Sequence, residues 1–84
     1  MYQVVVSNKA EKVLAKLPNT VYNRMASALR KLALNPRPAG CKKLRGRNAW
    51  RIRVGDYRAI YEIQDEILQV VVITVGHRRN IYEN

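Results

Sequence analysis

The sequence predicts an α+β domain of order β-α-α-β-β-β: an N-terminal strand, a helical hairpin, then a three-stranded antiparallel meander in one small, mostly antiparallel sheet. Three observations predict it. Apolar residues recur at helical spacing in two stretches of the first half. The segment WRIRVGDYRAIYEI, 50–63, alternates apolar and polar residues on either side of Gly55-Asp56. The run 67–75 is apolar almost throughout, as in an interior strand with both faces covered. At 84 residues the chain reads as a single domain, 1–84, large enough for one core and free of repeats and linkers.

Residues 2–6 read as a strand with Tyr2, Val4 and Val6 on one face. Asn8 with Glu11 three positions later is a capping-box-like helix start. Ala10, Val13, Leu14 and Leu17 form the first apolar stripe, and Pro18 ends it. A second helix begins near Asn19-Thr20. Its stripe is Val21, Met25, Ala28, Leu29 and Leu32, and Asn35-Pro36 closes it. Residues 36–48 form a basic loop of thirteen residues, a length that in a compact domain points to use.

Gly55-Asp56 fits a two-residue type II′ turn, with glycine at the first central position. Val54 then faces Tyr57, and Arg53 lies opposite Arg58. Trp50, Ile52, Val54, Tyr57, Ala59, Tyr61 and Ile63 point to the helices. Arg51, Arg53, Arg58, Ile60 and Glu62 occupy the other face. If Asp65-Glu66 is also a two-residue turn, Arg58 faces Ile73 and Ile60 faces Val71. On that register His77 shares the arginine face and converges with Arg53 and Arg58 at one corner. Arg78 and Arg79 follow in the chain, and Tyr82 comes within reach if the tail GHRRNIYEN turns back.

Charge narrows the function classes. The net charge is +10, which points to a polyanionic partner. Residues 36–58 concentrate it: Arg37, Lys42, Lys43, Arg45, Arg47, Arg51, Arg53 and Arg58 stand against the single acid Asp56. No apolar run reaches membrane-spanning length, and the N-terminus lacks a signal-peptide layout. The single cysteine, Cys41, permits no internal disulfide and no multi-cysteine metal site. These features predict a cytoplasmic protein.

Like charges in a cross-strand pair are unfavourable, so Arg53 opposite Arg58 implies a bound anion, and a phosphate suits guanidinium geometry. An arginine cannot act as a base. His77 and Tyr82 can move protons, and surrounding guanidiniums would favour the phenolate of Tyr82. Cationic stabilisers with two proton carriers match metal-free RNA cleavage, in which a 2′-hydroxyl attacks the adjacent phosphate and the 5′-oxygen leaves with a proton. Read instead as structure, Tyr82 is a terminal anchor and His77 a surface residue.

Two segments, KKLRGRNAWRIRVGDYRAIYEI (42–63) and VVVITVGHRRNIY (70–82), carry an ordered set of motifs. They are a KLRG-type loop, two strands bearing basic residues, a G-Y-R-type turn, and an apolar strand ending in glycine, basic residues and a tyrosine. In this order, and over nearly the whole chain, the set resembles the RelE toxins of the RelE/ParE superfamily, found in bacterial and archaeal toxin–antitoxin pairs. The resemblance implies a ribosome-dependent endoribonuclease that cuts mRNA in the decoding A site without metal or cofactor. It implies ribosomal RNA and a cognate antitoxin as further partners.

By matching positions, Arg51 and Arg53 fall near the scissile phosphate and Arg58 takes the place of the arginine after the turn tyrosine. Arg78 falls on the basic position after the last strand, and Tyr82 on the tyrosine associated with base function. His77 stands where another basic residue is often found, and takes an acid or base role on this reading. Arg51 and Arg53 replace frequent lysines and so cannot accept a proton. Lys42, Lys43, Arg45, Arg47 and Arg79 are expected to hold RNA backbone phosphates without reading sequence. A ParE-like inhibitor of DNA gyrase and a non-catalytic basic RNA-binding domain are the alternatives.

Overall fold

The computed structural model describes residues 1–81, and its elements follow the periodicities of the chain. They are β1 (Gln3–Val6), α1 (Asn8–Leu14), α2 (Asn19–Lys31), β2 (Lys42–Lys43), β3 (Trp50–Val54), β4 (Tyr57–Gln64) and β5 (Gln69–His77). The strands form one sheet in the order β1-β5-β4-β3-β2. β1 runs parallel to β5, and every other pair is antiparallel. Alternation sends Trp50, Ile52, Val54, Ala59, Tyr61 and Ile63 into one core with Ala10, Met25, Leu29 and Leu32 of the helical layer. Burying side chains such as Met25 and Leu32 contributes about 1.5–3 kcal/mol each. A smaller cluster of Leu44, Ala49 and Ile60, joined by Ile81, lies apart from this core. No helix among the described residues is long and apolar enough to cross a membrane.

The helix ends show how local rules act. Ser7, one residue before the expected start, caps α1, its Oγ accepting the Ala10 N–H at 3.1 Å. Asn8 is therefore the first helical residue, not the cap. Past Leu14 the chain tightens into i→i+3 bonds, Lys16 N–H to Val13 O and Leu17 N–H to Leu14 O. A residue before proline disfavours the helical region, so Pro18 stops the helix there. The end of α2 tightens likewise through Leu34, short of Pro36. The expected loop 36–48 contains the edge strand β2, and Tyr61 ties down its start by donating to Pro36 O at 2.7 Å. Arg37 pairs with Asp65 at 3.0 Å, where Tyr2 also donates. Together these hydrogen bonds hold the Asp65 carboxyl below the usual carboxylate range.

The Gly55-Asp56 hairpin has the expected register, with Val54 opposite Tyr57 and Arg53 opposite Arg58. Gly55 has φ 59 while Asp56 keeps negative φ, the pattern of a type II′ turn. The second connection differs from expectation. Asp65–Ile67 is a 3-10 turn followed by Leu68 in the left-handed region, φ 52, not a two-residue turn. A β-bulge then falls between Ile60 and Tyr61, leaving Ile73 without a partner on β4. The longer turn moves the register by two and the bulge by one more, so Arg58 faces Gly76 and Ile60 faces Thr74.

An odd shift exchanges the two faces. Val70 and Val72 point into the core before the bulge, and Val75 does so after it. His77 pairs with Tyr57 and so lies on the helix side, its ring edge-on to Tyr57 with centroids 5.4 Å apart. The expected meeting of His77 with Arg53 and Arg58 on the open face is thereby corrected.

Ser7 also holds the bulge. Its backbone N–H donates to Val72 O at 2.9 Å and its hydroxyl to Ile73 O at 2.7 Å. Ser7→Ala removes both the cap and the donor to the bulged carbonyl. The expected loss is about 1–2 kcal/mol, read from urea denaturation, and an unchanged midpoint would contradict it.

Candidate functional site

The face away from the helices is organised in rows by strand register. Lys42, Arg51, Ile60 and Thr74 form one row, and Arg53, Arg58 and Gly76 the next. Arg51 is only 5% exposed, whereas Arg53 is exposed and Arg58 half-buried. Arg78 is drawn to the same end because its backbone N–H donates to Asp56 O, in the β3–β4 turn, at 2.8 Å. A tight turn follows, with Arg79 N–H bonded to His77 Nδ1 at 3.2 Å and Asn80 N–H to His77 O at 2.8 Å. It returns Ile81 across Gly76. A Cβ at Gly76 would lie 3.1 Å from Ile81 Cγ1, so the glycine makes room for this tail packing.

The electrostatics record the crowding. Desolvation, then the charges of Arg53, Arg51 and Arg78, lower the pKa of Arg58 from the ordinary arginine value. Arg51 is lowered by burial and then by Arg53. A lowered arginine nevertheless stays protonated at neutral pH. A protein that holds four like charges within mutual reach gains when an anion sits among them. Guanidiniums in this arrangement can hold a phosphate by paired hydrogen bonds and stabilise charge that builds on its oxygens.

The other expected residues divide. Lys42 joins the arginine face beside Arg51, whereas Lys43 pairs with Trp50 and places Nζ 5.7 Å from its ring centroid. Arg37 also stacks on Trp50, at 4.9 Å. Arg45 and Arg47 are exposed between Leu44 and Ala49, whose backbones are joined by a 2.8 Å hydrogen bond. Arg79 is exposed in the turn after β5. His77 lines a cleft with Lys9, Val13, Lys16 and Leu17 on the α1 side. Tyr82 lies outside the described residues. Among the described residues no three His, Cys, Asp or Glu side chains gather in a way that could hold a metal ion. Gly76 and Ile81 escaped the sequence reading, their one signal being a glycine at the end of an apolar strand.

A family model described as the ParE toxin of the type II toxin–antitoxin system parDE matches residues 4–82. The chain belongs to the RelE/ParE toxin family. Comparison with curated proteins gave no match. Among solved structures, the toxin–antitoxin complex RelBE2 of Mycobacterium tuberculosis is 31% identical with a TM-score of 0.81, covering 92% of this chain and 98% of that one. The intact RelBE complex of E. coli is 32% identical with a TM-score of 0.80, covering 92% and 96%. The RelE–RelB complex of Pyrococcus horikoshii is 27% identical with a TM-score of 0.84, covering 95% and 98%. This RelE/ParE toxin therefore shares the family fold over nearly its full described length.

Crowded guanidiniums make a stability prediction. Replacing one of them should relieve repulsion worth about 0.2–1 kcal/mol. Arg53→Gln is expected to raise the melting temperature in low-salt buffer and to reduce the extra stabilisation that phosphate gives over chloride at equal ionic strength. A lower melting temperature with an undiminished phosphate effect would contradict the reading of the cluster.

Proposed function

We propose that this toxin is a ribosome-dependent mRNA endoribonuclease acting in the A site, within the cytoplasm. The observation that carries the reading is the convergence of Arg51, Arg53, Arg58 and Arg78 on one open face, which suits a phosphate that gains charge during reaction. The 2′-hydroxyl loses its proton to a base and its oxygen bonds to phosphorus. The P–O5′ bond breaks, and the departing oxygen takes up a proton. The products are a 2′,3′-cyclic phosphate and a 5′-hydroxyl, with no metal in any step. Arg51, Arg53, Arg58 and Arg78 stabilise the phosphorane, and Tyr82 is the candidate base by its place in the family motif. Lys42, beside Arg51, extends the cationic face along the RNA backbone. Lys43, Arg45, Arg47 and Arg79 are assigned to outer contacts with mRNA and ribosomal RNA.

The partner in the resting state is a cognate antitoxin, since the similar toxins of Mycobacterium tuberculosis and E. coli were solved as toxin–antitoxin complexes. An acidic segment of such a protein would complement the arginine face. A second reading, inhibition of DNA gyrase, is favoured by the description of the matching family as ParE toxin.

The roles are separable by mutation. Arg58→Ala should lower cleavage by about 10²–10³-fold, as for loss of one donor to a developing oxyanion, and abolish growth arrest on expression. His77→Asn, which keeps an acceptor for the Arg79 N–H, should retain both. Full toxicity of Arg58→Ala, in cells where the variant is folded, would sink the assignment.

A further inference from the structure

Positive charge does not stop at the sheet. The sequence of α2, NTVYNRMASALRK, contains no carboxylate. Arg24 and Lys31 stand seven residues apart, hence on one face and about 10 Å apart along the axis. This face looks onto the outer edge of β3. Two adjoining clefts run there, of about 500 and 610 Å³, and both are lined by Ala28, Lys31 and Arg53. The first continues to Arg24 and Gly55, the second to Lys42 by way of Pro38, Ala39 and Gly40. Among the described residues no carboxylate lines either cleft. The Arg24 guanidinium lies over the hairpin turn, 3.6 Å from where a Cβ of Gly55 would be.

The strand edge inside this groove is incompletely covered. Among the described residues β2 pairs only with Trp50 and Arg51, leaving Ile52–Val54 as an open edge. Because Val54 and Tyr57 close the two-residue turn, their amides bond to each other, and the backbone N–H of Arg53 points outward into the groove.

We infer that the groove between α2 and the β3 edge is a second RNA-backbone site, separate from the arginine face and continuous with it around Arg53 and Lys42. Its ligand is the phosphodiester backbone of single-stranded or looped RNA. Added peptide strands need a longer edge and pockets for alternate side chains, whereas this edge offers one outward residue. Cations spaced along a cleft floored by Pro38, Ala39 and Gly40 suit phosphates that approach closely. The inference does not rest on the nuclease reading, since binding here needs no cleavage.

The test uses the full chain and a labelled 2′-O-methyl RNA of about 12 nucleotides, which lacks the attacking hydroxyl. Binding is followed by anisotropy over a salt series. The double substitution Arg24→Ala with Lys31→Ala should weaken binding roughly tenfold and flatten the slope of log K against log salt by about 1.4, the loss of two single-strand phosphate contacts. Arg24→Lys with Lys31→Arg should bind as the wild type does. Both target residues are exposed, and thermal melts verify folding. Unchanged affinity and slope in the double alanine variant would overturn the site, even if the toxin cuts mRNA. Unchanged RNA binding with weakened binding of a poly-glutamate peptide would overturn it in favour of an acidic protein segment. Lost RNA binding in a toxin that cuts no mRNA would leave the site standing and reject only the nuclease.

Discussion

A single unpaired residue, Ile73, determines what each face of the sheet presents beyond the middle of β5. Ser7 holds it there by accepting the Ala10 N–H at the start of α1 while donating to the bulged carbonyl of Ile73. A partly buried carbonyl left without a donor is costly, so the same hydroxyl that starts the helix also stabilises the bulge. Beyond it, Val75 enters the core, His77 lies against Tyr57, and Gly76 stands opposite Arg58. With a glycine there, Ile81 returns over the open face to Ile60. The turn that begins this return binds Arg78 to the hairpin at Asp56. Cap, bulge, glycine and tail thus form one chain of causes ending at the fourth arginine.

The β3–β4 hairpin was legible because its evidence is local. Gly55-Asp56 names the turn, the turn fixes the register, and strict alternation fixes the faces. Trp50, Tyr57 and Tyr61 accordingly sit on the helix side, and Arg53 faces Arg58. The far half of β5 was not legible. In VVVIT every residue tolerates either face, so no change of pattern marks the bulge, and its anchor Ser7 is 66 residues away. Asp65-Glu66 carries turn chemistry, but nothing in it distinguishes a two-residue turn from a 3-10 turn closed by Leu68 in the left-handed region. β2 is two residues long, too short for any periodicity. Misplacing His77 followed from these longer-range effects, whereas the four arginines escaped the error because their positions depend on the hairpin and the tail.

Cations in this toxin are graded by environment. Arg37 is neutralised by Asp65 and stacked on Trp50, a structural use that fastens the loop to the sheet. Lys43 shares that ring. On the open face, desolvation and then the charges of Arg53, Arg51 and Arg78 lower Arg58, and burial and then Arg53 lower Arg51, which favours arrival of an anion over isolation in water. Arg24 and Lys31 line open clefts and contribute salt-dependent attraction. The cations used to fasten the loop are therefore spatially distinct from those left on the open face and in the clefts, although they alternate closely along the chain.

On the proposed function, the arginine face acts on mRNA held by the ribosome. Primer extension on a defined mRNA, incubated with the purified toxin with and without ribosomes, tests it most directly. Cuts inside codons are expected, and only when ribosomes are present. An intact message in both reactions, together with inhibition of DNA supercoiling by gyrase at the same toxin concentration, would contradict it.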